Sequence, residues 1–185
     1  MRTLTVALVS LSTVALVACS DPENHETLQQ TPAVSDCGGF FGTSGKLAKS
    51  PMGDPATYCD AELLLWWYSA ETETLALANN RTELNCCGDH AMDVSLVDGT
   101  YVVTETDAPE ANAGGARCGC MCVFDFTTEV SPVATGSIPV RLIRNVTDSE
   151  EGAVTVWEGT FDLSLGSGSV TLDASETMWC NPPAA

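Results

Sequence analysis

Basic residues are scarce in this chain. Seven lysines and arginines stand against 25 aspartates and glutamates, giving a formal charge of −18. Polyanions are held by clustered cations, so this balance excludes nucleic acid and anionic lipid headgroups as partners bound through charge. Histidine is nearly absent: His25 falls in a polar N-terminal stretch and only His90 belongs to the patterned part. A lone histidine beside a turn reads as a solvated side chain. No Gly-x-Ser-x-Gly elbow, His-Glu-x-x-His pair or phosphate-binding glycine loop occurs. No loop has calcium-ligand spacing, and acidic pairs such as Glu150-Glu151 sit in charged loop contexts. No catalytic residue is assigned, and an enzyme is not expected. Internal repeats and convincing helical periodicity are also missing. Beyond the first 18 residues no apolar run free of charges and prolines is long enough to cross a bilayer, which takes roughly 20 residues.

What is there begins at the N-terminus. Arg2 precedes an apolar stretch, Leu4 to Val17, of about fourteen residues, too short to span a membrane but suited to an export signal. It closes on Leu16-Val17-Ala18-Cys19, an aliphatic, an apolar and a small residue before a cysteine. This resembles a bacterial lipobox. The resemblance implies removal of residues 1–18 and lipidation of Cys19, whose acyl chains would hold the protein to a membrane at about 0.8 kcal/mol per buried methylene. Ser20, rather than Asp, in the second mature position implies the outer membrane. In the alternative, an ordinary secretory signal, Cys19 is incidental. Residues 20–35 are polar, carry two prolines and lack an apolar period, so the lipidated Cys19 and a flexible tether occupy 19–35. Residues 36–185 form a single domain.

Eight further cysteines follow: Cys37, Cys59, Cys86, Cys87, Cys118, Cys120, Cys122 and Cys180. Export places them where thiols pair. An even number fits four disulfides, with 105 connectivities open. A Cys37–Cys59 bridge would close a Gly- and Pro-rich loop. Cys86 and Cys87 point to opposite faces of a strand and so should seek different partners. Two of Cys118, Cys120 and Cys122 are candidates, leaving the third for Cys180 or the 37–59 loop. The alternative is a metal site in which Cys86, Cys87, Cys118, Cys120 and Cys122 hold Zn²⁺ or Cu⁺ as thiolates, with His90, Met92 and Met121 near in sequence. Alternate strand positions put sulfurs about 6–7 Å apart, long for a shared zinc unless the strand bends at Gly119. Thiol–disulfide exchange lacks a helix N-terminus and has only Arg117 as a basic neighbour.

The domain reads as all-β, an antiparallel sandwich or flattened barrel of about 8–10 short strands stapled by disulfides. Leu63 to Tyr68 is a wholly apolar run. Segments 73–78 and 82–87 follow, with Asn79-Asn80 as a turn. Met92, Val94 and Leu96 alternate with polar residues, and Asp98-Gly99 then suits a tight hairpin turn. In Arg117 to Val130 the cysteines share the even positions with Phe124 and Phe126, which predicts a core-facing row. Segments 138–146, 153–158, 160–165 and 169–172 complete the set, with Gly166-Ser167-Gly168 as a last hairpin turn. Trp66, Trp67, Trp157 and Trp179 are expected mainly in the core, with a carbohydrate or peptide groove as the alternative use.

Together with the lipobox, Asn85-Cys86-Cys87 and the Cys-x-Cys-x-Cys run of Cys118 to Cys122 resemble small cysteine-rich bacterial surface lipoproteins with an uncharacterised β domain. That resemblance implies a lipid-anchored envelope protein without a stated activity. The expected role is a binding or structural module for an unknown envelope ligand or protein, presented by loops of the sandwich, with no cofactor. A Zn or Cu lipoprotein is the alternative.

Overall fold

Alternating side chains and punctuating turns produce short strands, and these pack as two sheets. A computed structural model describes residues 28–38 and 61–174. Its strands are β1 (Gln29–Gln30), β2 (Ala33–Val34), β3 (Glu62–Ser69), β4 (Thr74–Asn85), β5 (Gly88–Val97), β6 (Thr100–Pro109), β7 (Met121–Ser131), β8 (Ser137–Val146), β9 (Ala153–Asp162) and β10 (Ser167–Asp173). The first sheet runs β1-β7-β4-β3-β10, with β2 also on β7, and the second runs β5-β6-β8-β9. Among the described residues the only helical turns are two 3-10 turns of three residues each. The two sheets are not closed into a barrel. The signal segment, Cys19 and residues 20–27 of the expected tether lie outside the described residues, as do Cys59, Trp179 and Cys180. The second half of that tether, 28–35, is not a free linker, because β1 and β2 pair along β7 and Ser35 is buried.

Apolar side chains from both sheets meet in one core. Leu64, Leu75, Leu77 and Phe126 come from the first sheet, and Val94, Val103 and Leu142 from the second. The expected core-facing row holds only within β7, where Cys122, Phe124 and Phe126 are buried. Cys118 and Cys120 precede the strand, half-buried and exposed respectively, because the corner disulfides hold them outside the core. Three rings close one side of the interior. Phe161 stacks on Trp66 and on Trp157, with centroids 5.4 Å apart in each case. Gly168 leaves room for the Trp66 ring, since a Cβ there would lie 2.6 Å from it.

The Asp98-Gly99 hairpin is present. Val97 pairs with Thr100, and both turn residues have positive φ, 50° and 77°, as a two-residue type I′ turn requires. Four further expectations fail. Asn79-Asn80 is no turn: β4 runs unbroken through it, and pairing with β7 slips between Asn79 and Thr82. The extra residue forms a bulge in which Arg81 takes φ 66° and donates its N–H to Asp125 Oδ1 at 3.0 Å. The chain bends there without reversing because β7 pairs with β4 on both sides of the slip. Segments 153–158 and 160–165 are not separate strands either. β9 spans the join, shifting register against β8 between Leu142 and Ile143. Gly166-Ser167-Gly168 makes no hairpin. Leu163–Leu165 form a 3-10 turn whose Asp162 cap accepts from Ser164 N, and the chain crosses to pair β10 with β3. Buried Leu163 pins that crossing into the core. Finally, the sheets are not wholly antiparallel, because β6 and β8 pair in parallel.

Candidate functional site

Among the described residues two places combine chemistry with shape: the cysteine-rich end of the sandwich and a trough on the outer face of the first sheet. At the first, β4 and β7 end their pairing at Asn85 opposite Met121. The backbone ladder continues one step further, with Cys86 N donating to Cys120 O at 3.1 Å. That continuation sets Cys86 against Cys120 and Cys87 against Cys118, with Cα atoms 5.6 and 5.4 Å apart, and both pairs are disulfides. Asn85 clamps the corner: its Nδ2 donates to Cys118 O at 2.8 Å and its Oδ1 accepts from Cys87 N at 3.0 Å.

The two adjacent cysteines therefore take different partners, as their opposed directions require. Cys122 goes to the 37–59 loop, but the expected Cys37–Cys59 bridge is not formed. Cys37 is bonded to Cys122 instead, Cα to Cα 5.7 Å. The reason is strand pairing. β2 lies along β7, Ser35 N donates to Asp125 O and Gly38 N to Val123 O, so residue 37 is delivered beside residue 122. The Sγ atoms of Cys86, Cys118 and Cys120 lie within 4.8 Å of one another. Each is already bonded to sulfur, and a disulfide sulfur is not the thiolate that Zn²⁺ or Cu⁺ requires. Of the neighbours that would assist a metal, Met92 is buried in the core and Met121 is exposed.

An ionic cluster backs this corner. Asp107 is 2% exposed and accepts from Arg117 Nη1, which it meets in a short contact. Arg117 also pairs with Asp148. His90 Nε2 lies 3.4 Å from Asp107 Oδ1, and its ring packs 4.3 Å from that of Phe124. Burial pulls the His90 pKa below 6.5 against the attraction of Asp107, which favours the neutral imidazole. His90 is thus a buried side chain, not the solvated one expected from its place beside a turn. A second cluster lies deeper between the sheets. Arg144 pairs with Glu62 and Glu105, and Asn79 Nδ2 donates to both carboxylates at 2.9 and 2.7 Å. Burial holds the Glu105 carboxyl above the usual carboxylate range, and the Arg144 charge offsets this only in part.

Neither cluster was among the sequence candidates. The signal was available in β6, where Tyr101, Val103, Glu105 and Asp107 share one parity and all four are buried. Two acids that continue an apolar row must point inward and find cations.

The trough encloses about 520 Å³ and is lined by Trp67, Ser69, Glu71, Thr72, Ala76 and Glu129 among others. Trp67, Ala76 and Glu129 stand in register across β3, β4 and β7. Trp66 is buried whereas Trp67 is half-buried, packed against the small outer cluster of Leu63, Leu65 and Ala78. The two tryptophans take opposite faces, as strand geometry demands. Comparison with protein-family models, curated proteins and solved structures returns no match.

Proposed function

We propose that this chain is an exported, lipid-anchored cell-envelope protein whose disulfide-stapled sandwich is a binding module. The observation that carries the reading is the set of three disulfides within the described residues. Such bonds persist in oxidising compartments and are rare in a reducing cytosol. Leu16-Val17-Ala18-Cys19 supplies the route and the anchor, with the outer membrane as destination. No catalytic role is assigned to any residue. The test is to express the full chain in a Gram-negative host, feed a clickable palmitate analogue and weigh the membrane fraction intact. Wild type should carry label and a mass showing loss of residues 1–18. Cys19→Ser should be unlabelled. Full-length, reduced protein in the cytosol would overturn the reading.

A second reading, a sulfur-ligated Zn or Cu protein, rests on the convergence of Cys86, Cys118 and Cys120. It needs both corner disulfides open. Thiol titration of natively purified protein separates the two readings: no reactive thiol after unfolding supports crosslinks, and three or more protected thiols with stoichiometric metal support the alternative.

A further inference from the structure

The trough on the first sheet follows from the residue sizes of three neighbouring strands. β4 presents Ala76 between Trp67 on β3 and Glu129 on β7. Strands lie about 4.8 Å apart, so the wall residues stand roughly 10 Å from each other over a methyl floor. The turn joining β3 to β4 closes one end with Glu71 and Thr72. Among the described residues the carboxylates of Glu71 and Glu129 have no hydrogen bond or ion pair. Among the described residues no lysine, arginine or histidine lines the trough.

An aromatic wall, a small apolar floor and two uncompensated carboxylates are complementary to a cation on an aliphatic stem. The stem fits over Ala76 and the Trp67 ring, where a guanidinium or ammonium group gains attraction from the ring face. The overall charge of −18 draws such a partner in and repels anionic ones. Resting on the binding-module reading, we propose that this trough is a docking site for a lysine- or arginine-bearing segment of a basic partner protein, its cation held between Trp67 and the carboxylates of Glu71 and Glu129.

The test is calorimetric titration of the purified full chain, in neutral detergent, with a blocked tetra-arginine peptide. A parallel titration uses the neutral oligosaccharide cellohexaose. The expected result is saturable one-to-one peptide binding that weakens with added salt. Glu129→Gln, an exposed position, should weaken it about tenfold. Trp67→Ala should do the same, with its thermal melt recorded to confirm folding. Glu150→Gln with Glu151→Gln removes two charges from the turn between β8 and β9 in the other sheet, and should leave the affinity within twofold. Equal weakening by that double variant would reduce the effect to bulk charge and overturn the site. Binding of the saccharide but not the peptide would overturn the cation assignment while leaving a binding module. Binding of neither would remove the trough as a site, whereas the lipidation experiment would still decide the anchor.

Discussion

Arg144 stands between two carboxylates that water scarcely reaches, Glu62 and the fully buried Glu105. Removing one partner of a buried ionic set is costly because the remaining charges keep their desolvation penalty. Arg144→Met should therefore destabilise the oxidised protein by about 3–5 kcal/mol in urea unfolding. Adding Glu105→Gln should restore part of the loss. His90 gives a pH prediction. Its folded pKa lies below the ordinary 6.5 through burial, with Asp107, Arg117 and Asp89 as the charges facing it. The unfolded chain binds that proton more readily, so the neutral ring's contribution is complete above pH 6.5 and is lost as pH falls below it. Denaturation midpoints between pH 7 and 5 should fall less steeply in His90→Phe than in wild type, and parallel slopes would refute this. At this scale the cysteine pairing logic was readable, because adjacent residues on a strand must diverge. The ionic clusters are not legible from charge alone; they follow from the place of Glu105 and Asp107 in the apolar row of β6.

Local rules succeeded where the turn is local. Asp98-Gly99 needs only its own backbone angles, and the hairpin is there. Asn79-Asn80 carried a similar signal, yet β3 on one side and β7 on the other hold β4 extended through it. No window of sequence contains those partners. The Gly166–Gly168 hairpin failed for the same reason, since β10 finds its ladder on β3. That pairing places Gly168 opposite Trp66. Gly168→Ala should cost about 1–3 kcal/mol, the range for overfilling a packed site, because its new Cβ would enter the Trp66 ring that stacks on Phe161. Thermal melts check this. A neutral result would mean that the ring moves freely and that the stack does not hold β10 in place.

For the whole molecule, all-β class, approximate strand number and disulfide stapling followed from turn spacing and cysteine count. The parallel β6–β8 pair did not, being a matter of which strands meet rather than of what each is made of. The Cys37–Cys122 bond joins residues 85 apart. Replacing both cysteines by alanine should lower stability by about 4 kcal/mol on the loop-entropy account, measured as a shift in denaturation midpoint with the other bridges intact.

That same bond has a mechanical consequence. β1 and β2 lie along β7, which is flanked on its other side by β4. Tension on the N-terminal end would peel only the short stretch from Leu28 before meeting covalent sulfur at Cys37. Beyond that point the pull passes directly into β7, and the rest of the fold is shielded from being unthreaded from that end.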